Sequence, residues 1–122
     1  MQRCFFILGS SFALVGVIAG AFGAHALKER ISAGMLETFE VAVRYQMYHA
    51  IALLAVAWAV TQWSSQLIHL AGWSFVVGTC IFSGSLYILS LTGIRWLGAI
   101  TPIGGLVLIV GWACLIWGAV RG

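Results

Sequence analysis

Apolar residues fall into four long blocks, and the polar residues between them are unequally shared. The blocks predict membrane-spanning helices at about 5–24, 44–62, 67–91 and 102–120, each near the roughly 17–25 residues that a bilayer core demands. The first interruption is long and polar. Within it, segment 32–47 has helical spacing that runs on past its end: Met35, Leu36, Phe39, Ala42, Val43, Met47 and Ala50 form one stripe, and Glu37, Glu40, Arg44 and Tyr48 another. Ser32 or Gly34 is placed to open this amphipathic helix. The apolar part of the second block, 48–60, is short for a span. The amphipathic helix therefore either lies at the interface or runs straight on into the second span, carrying Arg44, Tyr45, Gln46 and His49 to lipid depth. Thr101-Pro102 reads as the start of the last helix, with Thr as the cap and Pro in the first turn. The expected fold is an all-α membrane protein: one domain, 1–122, with four transmembrane helices as an up-down-up-down bundle.

Small residues mark the helix contacts. Gly16 and Gly20 form a GxxxG pair, with Gly23 shortly after. Gly78 and Gly84 lie in the third span, and Gly104, Gly111 and Gly118 repeat at an interval of seven in the fourth. In lipid, where burying apolar surface drives little, such residues let backbones approach. The seven-residue interval predicts a left-handed, coiled-coil-like seam. For Gly16 and Gly20, packing within one chain is favoured over a homodimer seam, because three other spans need partners.

Composition fits this picture. Hydrophobic residues make up 62% and charged residues 7% of 122, against about 25% charged in ordinary soluble domains. The mean hydropathy is +1.07. The net charge of +3 is scattered between spans, not clustered as nucleic-acid binding requires, so no nucleic-acid partner is expected. Arg3, an apolar run and Ala24-His25-Ala26 imitate a signal peptide, but a run over 5–23 is nearer a retained span. Cys4, Cys80 and Cys114 share no metal-type spacing and read as apolar fillers.

Antiparallel spans put the ends of spans one and three and the starts of two and four on one side. The polar clusters all fall there, which nominates a site of His25, Glu40, Arg44, Tyr45, Gln46, His49, Ser83, Ser85, Tyr87 and Thr101. Lys28, Arg30, Arg44 and Arg95 on that side outnumber Arg3 and Arg121 on the other, predicting a cytoplasmic polar face.

Gly20-Ala21-Phe22-Gly23-Ala24-His25-Ala26-Leu27, Tyr45-Gln46 with His49-Ala50, Phe82-Ser83-Gly84-Ser85-Leu86-Tyr87 and Thr101-Pro102-Ile103-Gly104-Gly105 with Gly111-Trp112 follow one another in that order. Over essentially the whole chain they resemble the YgdD-like small bacterial inner-membrane proteins, a domain of unknown function with short four-span eukaryotic relatives. The resemblance implies a multi-pass protein of the bacterial inner membrane and no established activity.

His25 and His49 would be the candidates for a haem or metal, but no His-x-x-x-His pair supports them, and neither cofactor nor metal is expected. Glu40 and Arg44, at i and i+4, suit a salt bridge or an interfacial anchor. Ser83 or Ser85 near a histidine makes a membrane-embedded enzyme conceivable, yet Ser beside Gly in such a helix is usually packing, so no enzyme is expected. The favoured function is a small structural, interaction or accessory protein whose partners are membrane lipid, a second copy or another membrane protein. The alternatives are a homo-oligomeric solute, ion or proton carrier or channel, and a lipid-headgroup-binding protein.

Overall fold

The computed structural model describes residues 1–122, except for the Ala24 side chain. The described residues form helices and short connections, with no strand. Helix α1 (Gln2–Ile18) continues through a π-helical turn (Ala19–Gly23) into the short α2 (Ala24–Leu27). A turn leads to α3 (Ala33–Gln62), then to α4 (Gln66–Thr92), a 3₁₀ turn (Arg95–Ala99) and α5 (Thr101–Arg121).

Local chemistry sets most of these ends. Ser32 caps α3, its hydroxyl accepting from Met35 N at 3.2 Å. Ser65 caps α4 in the same way through Leu67 N. Helix α4 stops at Gly93, which adopts φ 74°. An added Cβ there would meet nothing within 4 Å, so glycine serves the left-handed backbone and not a close contact. At α5 the sequence expectation fails. Ile100 holds the cap position and Thr101 is already helical, with its hydroxyl on Ser85 instead.

The amphipathic segment and the second predicted span are one continuous helix, α3. Three stretches are long and apolar enough to cross a membrane: Gln2–Leu27, Gln66–Thr92 and Arg95–Arg121. Helix α3 is not among them. Glu37, Glu40, Arg44, Gln46 and His49 interrupt its N-terminal half, so the expectation of four spans is reduced to three that qualify by length and composition.

Consecutive long helices pack antiparallel in chain order: α1 on α3, α3 on α4, and α4 on α5. On α1, Gly9 faces Ala50 and Leu53 and Gly16 faces Met47; in the π-helical turn that follows, Gly20 faces Val43 and Gly23 faces Phe39. The GxxxG pair thus packs within the chain. On the α4–α5 seam, Ile68 and Phe75 fill the spaces at Gly118 and Gly111, Leu108 fills the space at Gly78, and the backbone of Phe82 lies against Gly104. Every step along α4 is matched by an equal step back along α5, so one register sets three large side chains and one stretch of backbone against glycine. The closest approach is at Gly104, where a Cβ would sit 2.5 Å from Phe82 N. The seven-residue interval keeps this seam facing its partner.

The apolar core occupies the half nearer the chain termini. Phe5, Leu53, Val56, Ile68, Phe75 and Leu108 meet there, all nearly or fully buried. Phe5 lies against Gly72, where it would collide with any Cβ, and its ring meets Trp73 edge-on at 5.3 Å.

Candidate functional site

Toward the other end, buried polar groups replace this core. Gln46, His49, Ser83, Ser85 and Thr101 are all buried, and each bonds to another part of the bundle or to its own helix. Gln46 Nε2 donates to Phe12 O at 2.8 Å and its Oε1 accepts from Tyr87 Oη at 2.6 Å. This one side chain ties α1, α3 and α4 together. Ser83 Oγ donates to Ala42 O at 2.7 Å, again joining α4 to α3. Ser85 and Thr101 share a 2.6 Å hydroxyl contact between α4 and α5, each also near a carbonyl of its own segment, Phe82 O and Leu97 O. The Ser85–Thr101 pair extends the register set by the glycines of the α4–α5 seam.

His49 has both ring nitrogens engaged. Nδ1 lies 2.7 Å from Tyr45 O, and Nε2 lies 3.1 Å from Trp112 Nε1. A carbonyl only accepts and an indole N–H only donates. Nδ1 therefore carries the proton and Nε2 accepts, which defines a neutral imidazole held between α3 and α5. Phe75 and Trp112 enclose it, their rings 5.5 and 5.8 Å from the imidazole.

The remaining nominated residues do not join this set. His25, Glu40, Arg44 and Tyr45 are exposed, and no hydrogen bond joins Glu40 to Arg44 among the described residues. His25 lines a surface hollow with Lys28, Glu29 and Arg30. Tyr45 contributes its backbone carbonyl, while its ring stacks near Phe82 at 4.4 Å. Among the described residues, no group of three His, Cys, Asp or Glu side chains is placed to hold a metal ion. Neither Ser83 nor Ser85 bonds to a histidine. The three cysteines are free thiols, and Cys80 is exposed.

Gly84, expected at a helix contact, has nothing within 4 Å of an added Cβ. It lines a cleft between α1 and α4. Phe12 and Val15 form one wall, Thr79, Cys80, Ser83, Gly84 and Tyr87 the other, and Gln46 the floor, around a volume of about 310 Å³. The two helices meet where Phe5 rests on Gly72 and stand apart along the cleft.

Sequence reasoning missed Trp112, Thr79, Ser90 and the Phe12 and Ala42 carbonyls. Backbone acceptors carry no side-chain signal. Trp112 reads as one more apolar residue until the fold brings its N–H to His49.

The same architecture has relatives. The family model for a protein of unknown function, DUF423, matches residues 19–105, which include all the buried polar residues but not Trp112, the exposed partner of His49. The UPF0382 membrane protein SSP2132 of Staphylococcus saprophyticus is 47% identical over 120 residues, covering 98% of this chain and 99% of its own. The UPF0382 membrane protein YwdK of Bacillus subtilis is 44% identical over 121 residues, covering 98% of each. No solved structure matches the chain. The chain belongs to the DUF423 family of UPF0382 membrane proteins, whose function is unknown.

Proposed function

We propose that this protein is a non-catalytic, four-span inner-membrane protein that works by binding another membrane component, a structural or accessory role with no prosthetic group. One observation carries the reading: Gln46, His49, Ser83, Ser85 and Thr101, all buried, spend their polar atoms on bonds to neighbouring helices and backbone carbonyls. A side chain already bonded on both sides holds the bundle together and is not offered to a substrate. His49 illustrates this, because its neutral ring has no free nitrogen for a metal, a haem or an incoming proton.

The fourth span is supported by the α1–α3 contact. Residues 39–54 of α3 run alongside residues 9–23 of α1 and its π-helical continuation in continuous register, so lipid around one surrounds the other. Gln46 and His49 are then masked by bonds to Phe12 O, Tyr87, Tyr45 O and Trp112, which lowers the cost of their depth. Four exposed cations (Lys28, Arg30, Arg44 and Arg95) on the connection side support a cytoplasmic polar face. The likeness to the YgdD-like bacterial proteins supports the inner membrane. The carrier reading is less favoured, since the packed core from Phe5 to Leu108 closes the terminal half.

Native mass spectrometry of protein extracted gently from its own membrane tests the role. A retained second copy, partner subunit or lipid is expected. A bare monomer that conducts ions or solute in proteoliposomes would replace this reading with transport.

A further inference from the structure

The outward face of α3 carries charge at a depth where lipid offers it no partner. Glu40, Arg44, Tyr48, Ile51, Ala55 and Trp58 follow one another at intervals of three and four along α3, and all six are exposed. The packed faces of the same helix are elsewhere: Val43 and Met47 meet α1, and Ala42 and Gln46 meet α4. Among the described residues, neither Glu40 nor Arg44 bonds to another side chain.

The contacts between helices fix how deep this stripe lies. Ser83 donates to Ala42 O, so the two residues are level. Counted back from Thr92, Ser83 is about 14 Å inside the end of α4 at about 1.5 Å per residue. With α4 centred in a hydrocarbon core about 30 Å thick, Ala42 is about 9 Å below the core's edge. The backbone of Arg44 is then about 12 Å below it and that of Glu40 about 6 Å. Helical side chains lean toward the N-terminus, which in α3 is the nearer interface. The guanidinium of Arg44 thus rises to the level of Glu40, one turn away, and both charged heads remain inside the core.

Acyl chains cannot serve these groups. A guanidinium has five N–H donors, and a carboxylate in bidentate contact takes two of them. Glu40 of the same helix therefore leaves Arg44 with donors that need a second acceptor at the same depth. The stripe holds one acid and one base, so its charge complement is its own copy. A two-fold axis along the membrane normal sets Glu40 of each copy beside the Arg44 head of the other, and the four groups alternate in sign around the axis. Both copies then insert in the same orientation, as their shared charge asymmetry requires. Deeper along the stripe, Tyr48, Ile51 and Trp58 offer large side chains, and Ala55 a point where two backbones can approach.

We propose that two copies of this chain pair in the membrane through the outward face of α3, with Glu40 of each copy bonded to Arg44 of the other. The inference names the partner and the surface for the binding role argued above and rests on the four-crossing arrangement. Neither charge bonds within its own chain, so the pairing adds to a bundle that already stands without it.

The test uses the full chain in phospholipid vesicles at low protein-to-lipid ratio, in a background lacking Cys4, Cys80 and Cys114. Ile51→Cys and Ala55→Cys are expected to form disulfide-linked dimers on oxidation. Leu14→Cys and Ile109→Cys, at positions as exposed as Ile51 but on α1 and α5, are expected not to. In the Ala55→Cys background, Glu40→Arg and Arg44→Glu are each expected to lower cross-linking about tenfold or more, the worth of a charged hydrogen bond. Mixed in one vesicle, these two variants are expected to regain it as heterodimers, read by a tag on one of them. Glu40→Gln, which keeps the side chain's shape, is expected to weaken cross-linking at Ala55→Cys without unfolding the bundle. Equal cross-linking at all four cysteine positions, or cross-linking at Ala55→Cys unchanged by Glu40→Gln, would overturn the pairing. A monomer that still retains a lipid or a different subunit would overturn it while leaving the binding role in place.

Discussion

At the scale of single residues, this chain puts its uncommon polar groups to structural use. His49 accepts from Trp112 while donating to Tyr45 O, and membrane helix–helix hydrogen bonds average about 0.6 kcal/mol with a maximum near 1.7. Trp112→Phe should therefore lower stability by about 0.6–1.7 kcal/mol. In a double-mutant cycle with His49→Leu, most of that loss should vanish once the acceptor is gone; additive losses in detergent unfolding would contradict the bond. Gln46→Leu removes two contacts at once and strands the Tyr87 hydroxyl, so it should cost more than Trp112→Phe. Arg44→Ala should leave the unfolding midpoint nearly unchanged, because Arg44 is exposed and its neighbour Glu40 is not bonded to it. These variants separate residues that hold the bundle from residues that merely share its polar end.

At the scale of helices, the α4–α5 seam is a ladder of large residues set into glycine spaces. Its tightest point is Gly104, where backbone meets backbone and no flexible side chain can yield. Gly104→Ala should destabilise by about 1–3 kcal/mol through overpacking. Gly84→Ala, with open space around it, should change stability by less than about 0.5 kcal/mol. Thermal unfolding in one detergent compares the pair directly, and equal shifts would refute the seam. Leu108 reverses the pattern by projecting from α5 toward Gly78. Leu108→Ala should leave a cavity and cost about 2–5 kcal/mol, which Gly78→Val should partly recover by filling it from the opposite helix.

At the scale of the whole molecule, the question is how many helices cross the bilayer. Single-cysteine accessibility, in a background lacking Cys4, Cys80 and Cys114, should find positions 2 and 121 on one side and positions 30 and 95 on the other. Termini on opposite sides would mean three crossings and an interfacial α3. The polar layer makes the four-crossing arrangement coherent: groups too polar for lipid are paired inside, while large apolar side chains such as Leu14, Ile51, Leu106 and Ile116 face out. The outward apolar surface is what a lipid solvent requires, and the buried polar layer ties α1, α3, α4 and α5 to one another.

The solvent and the elements follow from the order of residues along the chain alone. Apolar runs this long select helices in lipid, because every backbone group needs an internal partner there and a barrel strand would alternate every second residue. Its serines and Gly93 mark the helix ends through local bonds that neighbouring residues alone can make. The asymmetry between a polar and an apolar half was also legible, since alternating helix direction sorts the residues by side. What tertiary structure decided was pairing. Thr101 looked like a cap by spacing, yet its hydroxyl met Ser85 because the α4–α5 register brought them together. Gly84 looked like a packing glycine, yet it faces a cleft because α1 diverges from α4 beyond Phe5. His25, Glu40 and Arg44 lie toward the same end of the bundle as Gln46 and His49 but are exposed and do not bond to them. Side and spacing are properties of the chain, whereas the partner of a polar atom depends on how neighbouring helices are rotated and how closely they approach.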